Sequence, residues 1–123
     1  MLEIKGKSIY LTRGDYAEII VSVLDNDTGQ AHTFAEGEVV IFRIGGTDIE
    51  KECNIITGES TCTLKLEEKD TADLRFGHYK YEFEYRNVYG KPSSEPSGGK
   101  INLINKTALP TGIYSINAAV AIK

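Results

Sequence analysis

The sequence predicts an all-β protein, an antiparallel immunoglobulin-like β-sandwich of about seven strands. Short segments alternate apolar and polar residues with a period of two, the mark of a half-buried strand. Turn residues recur between these segments at short intervals. No stretch holds a helical period, apart from a single turn at EEKDTADL, residues 67–74. Many short strands punctuated by turns fit a sandwich better than any layered α/β arrangement.

The elements follow in order. Residues 7–12 (KSIYLT) place Ile9 and Leu11 on one face. Residues 16–24 (YAEIIVSVL) set Ala17, Ile19, Val21 and Val23 against Tyr16, Glu18, Ile20 and Ser22. The turn-rich DNDTGQ leads to residues 38–44 (EVVIFRI), where Val40, Phe42 and Ile44 align. Gly45-Gly46 then predicts a tight hairpin turn, because both glycines accept a positive φ. Residues 47–56 and 60–66 read as a further hairpin about Thr57-Gly58, with Cys62, Leu64 and Leu66 on one side. Residues 78–86 (HYKYEFEYR) are the clearest strand: Tyr79, Tyr81, Phe83 and Tyr85 line one side, and His78, Lys80, Glu82 and Glu84 the other. At strand spacing such an aromatic row is expected to be core, although it could also line a sugar groove. The polar GKPSSEPSGGK connects to a last core strand at residues 100–105. Gly77 and Tyr79 suit the corner at which many immunoglobulin-like domains bond a tyrosine hydroxyl to upstream backbone. The chain has no tryptophan, and Tyr81 stands where an antibody-type domain would place its second cysteine.

Size and composition narrow the function classes. With 123 residues, the chain divides into a sandwich domain over residues 1–105 and a C-terminal extension over residues 106–123. The sandwich is large enough to bury a core without metal or disulfide support. The net charge of −4 and the absence of a basic run argue against nucleic acid and anionic lipid as partners. The opening MLEIKGKSIY has no apolar core of a signal peptide, and no apolar run approaches a membrane span, so no membrane association is expected. A reducing compartment is then expected to keep Cys53 and Cys62 as small buried thiols, although their symmetry about Thr57-Gly58 makes a cross-strand disulfide geometrically possible.

Motifs that could carry chemistry are weak. Asp25-Asn26-Asp27-Thr28-Gly29 resembles the start of a calcium loop, but its glycine falls one place early and strands flank it, so a surface turn is expected. The two cysteines with His32 and His78 do not make a zinc set. Nucleophile elbows and phosphate-binding glycine loops are missing from the sequence, so no catalytic residue, cofactor or metal is expected. Glu67-Glu68-Lys69-Asp70 reads as a solvated connection. Arg13-Gly14-Asp15 spells an integrin-binding tripeptide, yet it lies between two strand patterns. It is expected to be a hairpin turn, with Gly14 at positive φ and Arg13 paired loosely to an acid or in water.

The runs LTRGDYAEIIVSVLDNDTG, EGEVVIFRI and TCTLKLEEKDTADLRFGHYKYEFEY together resemble a family of phage and prophage proteins of Gram-positive bacteria. They are similar to the N-terminal domain of the baseplate upper protein of siphophage tails. The likeness rests on the Thr12-Arg13-Gly14-Asp15 turn, on Gly37-Glu38 with Val40 and Phe42, and on Thr71, Leu74, Gly77 and Tyr79. It covers residues 7 to 105, nearly the whole sandwich; Tyr16 departs from the small hydroxyl residue more usual there. The resemblance implies a non-enzymatic structural protein of a virion tail or baseplate, made in the bacterial cytoplasm. Its implied partners are other phage structural proteins and copies of itself, as a trimer or hexamer.

The extension supports an assembly role in its own way. In IYSINAAVAIK, a strand would put Tyr114, Ile116, Ala118, Val120 and Ile122 on one wholly apolar face. Such a segment either adds an edge strand to its own sandwich or docks on a neighbouring subunit, which makes Tyr114, Ile116, Val120 and Ile122 candidate assembly residues. The alternative function is a carbohydrate-binding or adhesin module, for which Tyr10, Tyr16 and Tyr89 are the candidate platform.

Overall fold

The computed structural model describes residues 2–25, 27–92, 97–104 and 114–120, and in the last segment the described side chain is that of Ala118. Among the described residues there are ten strands: β1 (Leu2–Lys5), β2 (Ser8–Thr12), β3 (Ala17–Asp25), β4 (Val39–Ile44), β5 (Glu50–Glu52), β6 (Asn54–Ile55), β7 (Cys62–Leu66), β8 (Gly77–Arg86), β9 (Ser97–Ile104) and β10 (Tyr114–Val120). One helical turn, α1 (Glu68–Thr71), links β7 to β8. Sheet A has the order β1-β2-β9-β8-β4-β5, and sheet B the order β10-β3-β7-β6. The protein is an all-β sandwich. Its pairs are antiparallel except β2 with β9 and β10 with β3.

The period-two pattern explains the packing. In sheet A, Ile9 and Leu11 of β2, Phe83 of β8 and Phe42 of β4 point inward. From sheet B they meet Ile19 and Val21 of β3 and Leu64 and Leu66 of β7. All eight are at most 1% exposed, so the core is continuous between the sheets. The aromatic row belongs to this core: Tyr81, Phe83 and Tyr85 are buried and Tyr79 is half-buried. Tyr81 and Phe83 meet edge to face at 5.6 Å.

Several expectations need correction. Residues 7–12 and 16–24 do not form a hairpin, because β2 pairs with β1 and β9 while β3 pairs with β7 and β10. Each strand has one apolar face, and the two faces meet across the core instead of lying side by side in one sheet. Residues 47–56 do not form one strand: β5 pairs with β4 in sheet A, and β6 pairs with β7 in sheet B. The changeover falls at Cys53, whose N–H still donates to the Val40 carbonyl at 2.8 Å. Consequently Cys62 lies opposite Ile55, not Cys53. The β4–β5 turn runs through Gly45–Ile49 and is longer than a two-glycine hairpin; only Gly46 has a positive φ, +74°. Gly45 instead donates its N–H to the Lys80 carbonyl at 2.7 Å. Finally, β9 begins at Ser97 inside the stretch read as a polar loop. It is held there by Tyr81, which lies opposite Gly99 and whose hydroxyl passes on to the Lys7 carbonyl at 2.6 Å.

Candidate functional site

The strand directions gather the connections at two ends. β3 begins beside the last residue of β7, since Ala17 pairs with Leu66, and the chain then passes through α1 to the start of β8. The first end therefore carries the 13–16 turn, α1 and residues 72–76. The opposite end carries the β3–β4 loop, the β6–β7 turn and the turn after Arg86, because Val39 pairs with Arg86.

At the first end, the Asp15 N–H donates to the Thr12 carbonyl at 3.1 Å, with Gly14 third in the turn at φ +81°. That is the arrangement of a type II turn. The Gly14 N–H donates to the buried Thr71 hydroxyl at 2.8 Å, tying the turn to α1. Arg13 does not simply point into water. Its guanidinium lies 4.0 Å from the centre of the Phe76 ring and donates to the Leu74 carbonyl at 3.3 Å. Stacking on an aromatic face and a backbone acceptor hold this cation better than solvent alone would. The Arg13-Gly14-Asp15 tripeptide is thus built into a layer-crossing turn. Gly77 begins β8 at φ +136°, and the Tyr79 hydroxyl donates to the Arg75 carbonyl at 2.8 Å, closing the same corner. Asp70 is not merely solvated: its carboxylate accepts from the Glu67 N–H at 2.7 Å and pairs with Lys51 of β5 at 3.0 Å.

At the second end, Phe34 plugs the sandwich at 1% exposure. Its backbone bonds both ways to the β6–β7 turn, donating to Glu59 and accepting from Gly58. Beside it, the buried Glu38 carboxylate accepts from the Ala35 N–H, the Tyr85 hydroxyl and His32 Nε2, the last at 2.8 Å. The His32 ring stands edge-on to Phe34 and Tyr85 at 5.6 and 5.2 Å. These groups satisfy one another, so the cluster fixes the β3–β4 loop over the core. The Asp25 carboxylate accepts from the Asp27 N–H at 2.8 Å, as in an Asx turn. Among the described residues there is no group of three or more metal-ligating side chains. Asn87 organises the next turn: its side chain accepts from the N–H groups of Tyr89 and Lys91 at 3.0 and 3.1 Å. On that ordered turn Tyr89 is 91% exposed.

Exposed large hydrophobic residues follow the same division. Among the described residues, Tyr16 and Phe76 are at the first end, and Ile56, Val88 and Tyr89 at the second. Sequence reasoning singled out Tyr16 and Tyr89 but not Ile56, Phe76 or Val88, because a lone apolar residue in a turn carries no periodic signal. The candidate sugar platform does not converge: Tyr10 is half-buried in β2 with Lys5 5.9 Å from its ring centre, and Tyr16 and Tyr89 are at opposite ends.

A groove of about 640 Å³ lies along the β4–β5 turn, lined by residues 43–50 together with Lys80, Tyr81, Glu82 and Gly98. Arg43, on its wall, is held in an ion-pair network that continues beyond the groove. Arg43 meets Glu84 at 2.6 Å and Glu50 at 2.9 Å, and Arg86 meets Glu84 at 2.7 Å. The bond to Glu84 raises the Arg43 pKa, against a lowering by partial burial. Burial opposes ionisation of Glu84, but the bonds from Arg86 and Arg43 outweigh it and hold its carboxyl below the ordinary value of 4.5.

Of the extension, β10 lies in register along β3, with Tyr114 opposite Ile19, Ile116 opposite Val21 and Val120 opposite Asp25. Ala118 is fully buried. Ile122 lies outside the described residues, as do the side chains of Tyr114, Ile116 and Val120.

No family model matches the chain, and no curated protein does. Among solved structures it is similar to the Caf1A usher C-terminal domain, with 13% identity and a TM-score of 0.40, over 86% of this chain and 98% of that one. That domain is described as carrying conserved surface hydrophobic clusters important for F1 antigen assembly.

Proposed function

We propose that the chain is a non-enzymatic structural module acting through protein–protein assembly, as a tail or baseplate component of a phage or prophage. The observation that carries this reading is the placement of the exposed large hydrophobics. All five among the described residues lie at the two ends of the sandwich, and none on the outer face of either sheet. Aromatic and aliphatic side chains held out on ordered turns suit protein contacts, where such residues are enriched. Two contact-bearing ends on one rigid body let copies join in series or close into a ring. The charged clusters at Glu38, Arg43 and Asp70 fit the same reading, since each is already bonded within the fold. The sequence resemblance to baseplate proteins supplies the virion context.

Light scattering behind size exclusion, over a range of concentrations, tests this. A defined trimer or hexamer is the expected result. A monomer at every concentration overturns self-assembly.

A further inference from the structure

Two cations on sheet A lack a counter-charge within the fold. Lys80 of β8 and Lys100 of β9 lie directly opposite each other in the ladder. Their neighbours Tyr81 and Ile101 are buried, so by alternation both lysines point to the outer face, where both are exposed. Ser8 flanks the pair on the β2 side, one step before the Ile9–Ile101 pair. Gly45 flanks it on the β4 side, where its N–H meets the Lys80 carbonyl. Along the strands the nearest residues on that face are His78, Glu82, Gly98 and Asn102. Of these neighbours only Glu82 is an acid, and it already meets Arg43 at 3.6 Å. Neither lysine has an ion pair or a side-chain hydrogen bond among the described residues. Like charges directly opposite in an antiparallel pair are destabilising, so the fold bears a cost here that it does not offset itself. The second end carries the converse. Glu36 of the β3–β4 loop and Glu52 of β5 line one cleft of about 280 Å³, which no cation lines among the described residues. Both are exposed, and neither carboxylate has an ion pair or a hydrogen bond among the described residues. Glu38, in the same cleft, is taken up by its three donors.

We infer that the Lys80–Lys100 pair of one copy receives the Glu36–Glu52 cleft of a second copy, an end-to-face contact that rests on the self-assembly proposed above and names its surfaces. Charge complementarity selects the second copy as the occupant. The same chain holds two unpaired ammonium groups on neighbouring strands and two unpaired carboxylates on one cleft. Bringing them together gives each lysine a counter-ion and relieves the repulsion that the ladder bears alone. Gly45 and Gly98 stand beside the lysines without side chains, so an incoming end can approach the sheet closely. Ile56, 60% exposed and next to Ile55 of the cleft wall, adds an apolar contact to the charged one. The two surfaces are different patches of the chain, so the contact is heterologous. Each copy that docks its cleft keeps its own lysine pair for the next, and the series closes into a ring when the rotation allows.

Charge reversal tests this, read by sedimentation velocity on the full chain at low ionic strength. Lys80→Glu with Lys100→Glu, and separately Glu36→Lys with Glu52→Lys, should each raise the dissociation constant of the assembly about tenfold or more. A chain carrying all four substitutions should regain wild-type assembly, because every altered surface again faces its opposite. Lys80→Gln with Lys100→Gln should weaken assembly while the melting temperature holds or rises, since the repulsion within the ladder is gone. Either reversal pair assembling as wild type does, or a fourfold variant that stays dissociated, overturns the inference and leaves the assembly reading standing. Assembly unchanged by both reversals, with poly-glutamate bound at the lysine pair, also overturns it, because the occupant is then a foreign acidic protein. A wild-type chain that is monomeric at every concentration overturns both. Should a reversal variant fail to fold, the glutamine variant decides, and wild-type assembly by it overturns the inference.

Discussion

At Gly99 a single hydrogen decides whether β9 can exist where it does. A Cβ built there would lie 2.4 Å from the Lys7 carbonyl oxygen and 2.8 Å from the Tyr81 hydroxyl. Backbone cannot yield as a flexible side chain would, so Gly99→Ala should destabilise the fold by about 1–3 kcal/mol through overpacking. A urea denaturation midpoint reads this directly, and an unchanged midpoint would mean that Tyr81 does not lie over the strand. A second residue-scale effect belongs to Glu84. Its carboxyl is held below 4.5, so its bonds to Arg43 and Arg86 contribute stability above that pH and lose it as pH falls through the folded value. Glu84→Gln should therefore lower the melting temperature at pH 7, and the gap to wild type should narrow below about pH 4.5. A gap that stays constant from pH 7 to pH 3 would remove the carboxylate from the account.

At the scale of elements, β10 is the one whose removal says most. It pairs along β3 from Ile19 to Asp25 and places Ala118 in the core. Deleting residues 109–123 should lower the melting temperature by about 5 °C or more, because the β3 edge loses its neighbour and the core is opened. If differential scanning calorimetry finds the deletion neutral, β10 adds nothing to its own sandwich and serves elsewhere. The elements also show what was legible in the sequence. Strands with long alternation, β3, β4 and β8, were readable because one face had to be buried, and so was the helical turn after β7. Partner choice was not readable: Ile9 and Leu11 look the same whether β2 pairs with β3 or faces it across the core. Very short strands were hidden too, since Glu50–Glu52 and Asn54–Ile55 give no period at all. The contacts at the ends were legible only in part. Phe34 sits in a turn-rich stretch, and only the fold shows that it closes the core.

For the whole molecule, the ends and the body are separable. Replacing both Tyr16 and Tyr89 by Ser removes exposed apolar surface at opposite ends without touching the core. The unfolding free energy should change by no more than about 0.5 kcal/mol, as for surface substitutions generally. The assembly measured by analytical ultracentrifugation should nevertheless shift to smaller species, and an unchanged distribution would place the contacts elsewhere. The parallel seat of β10 beside β3 also fixes an order of events. Tyr114 completes a pair with Ile19, and the two are far apart in the chain. As a ribosome delivers the polypeptide, β3 is made early and waits with one edge open until residues 114–120 emerge. Contacts of such long range make folding slow. During that wait the nascent chain is most exposed to strand exchange with another copy.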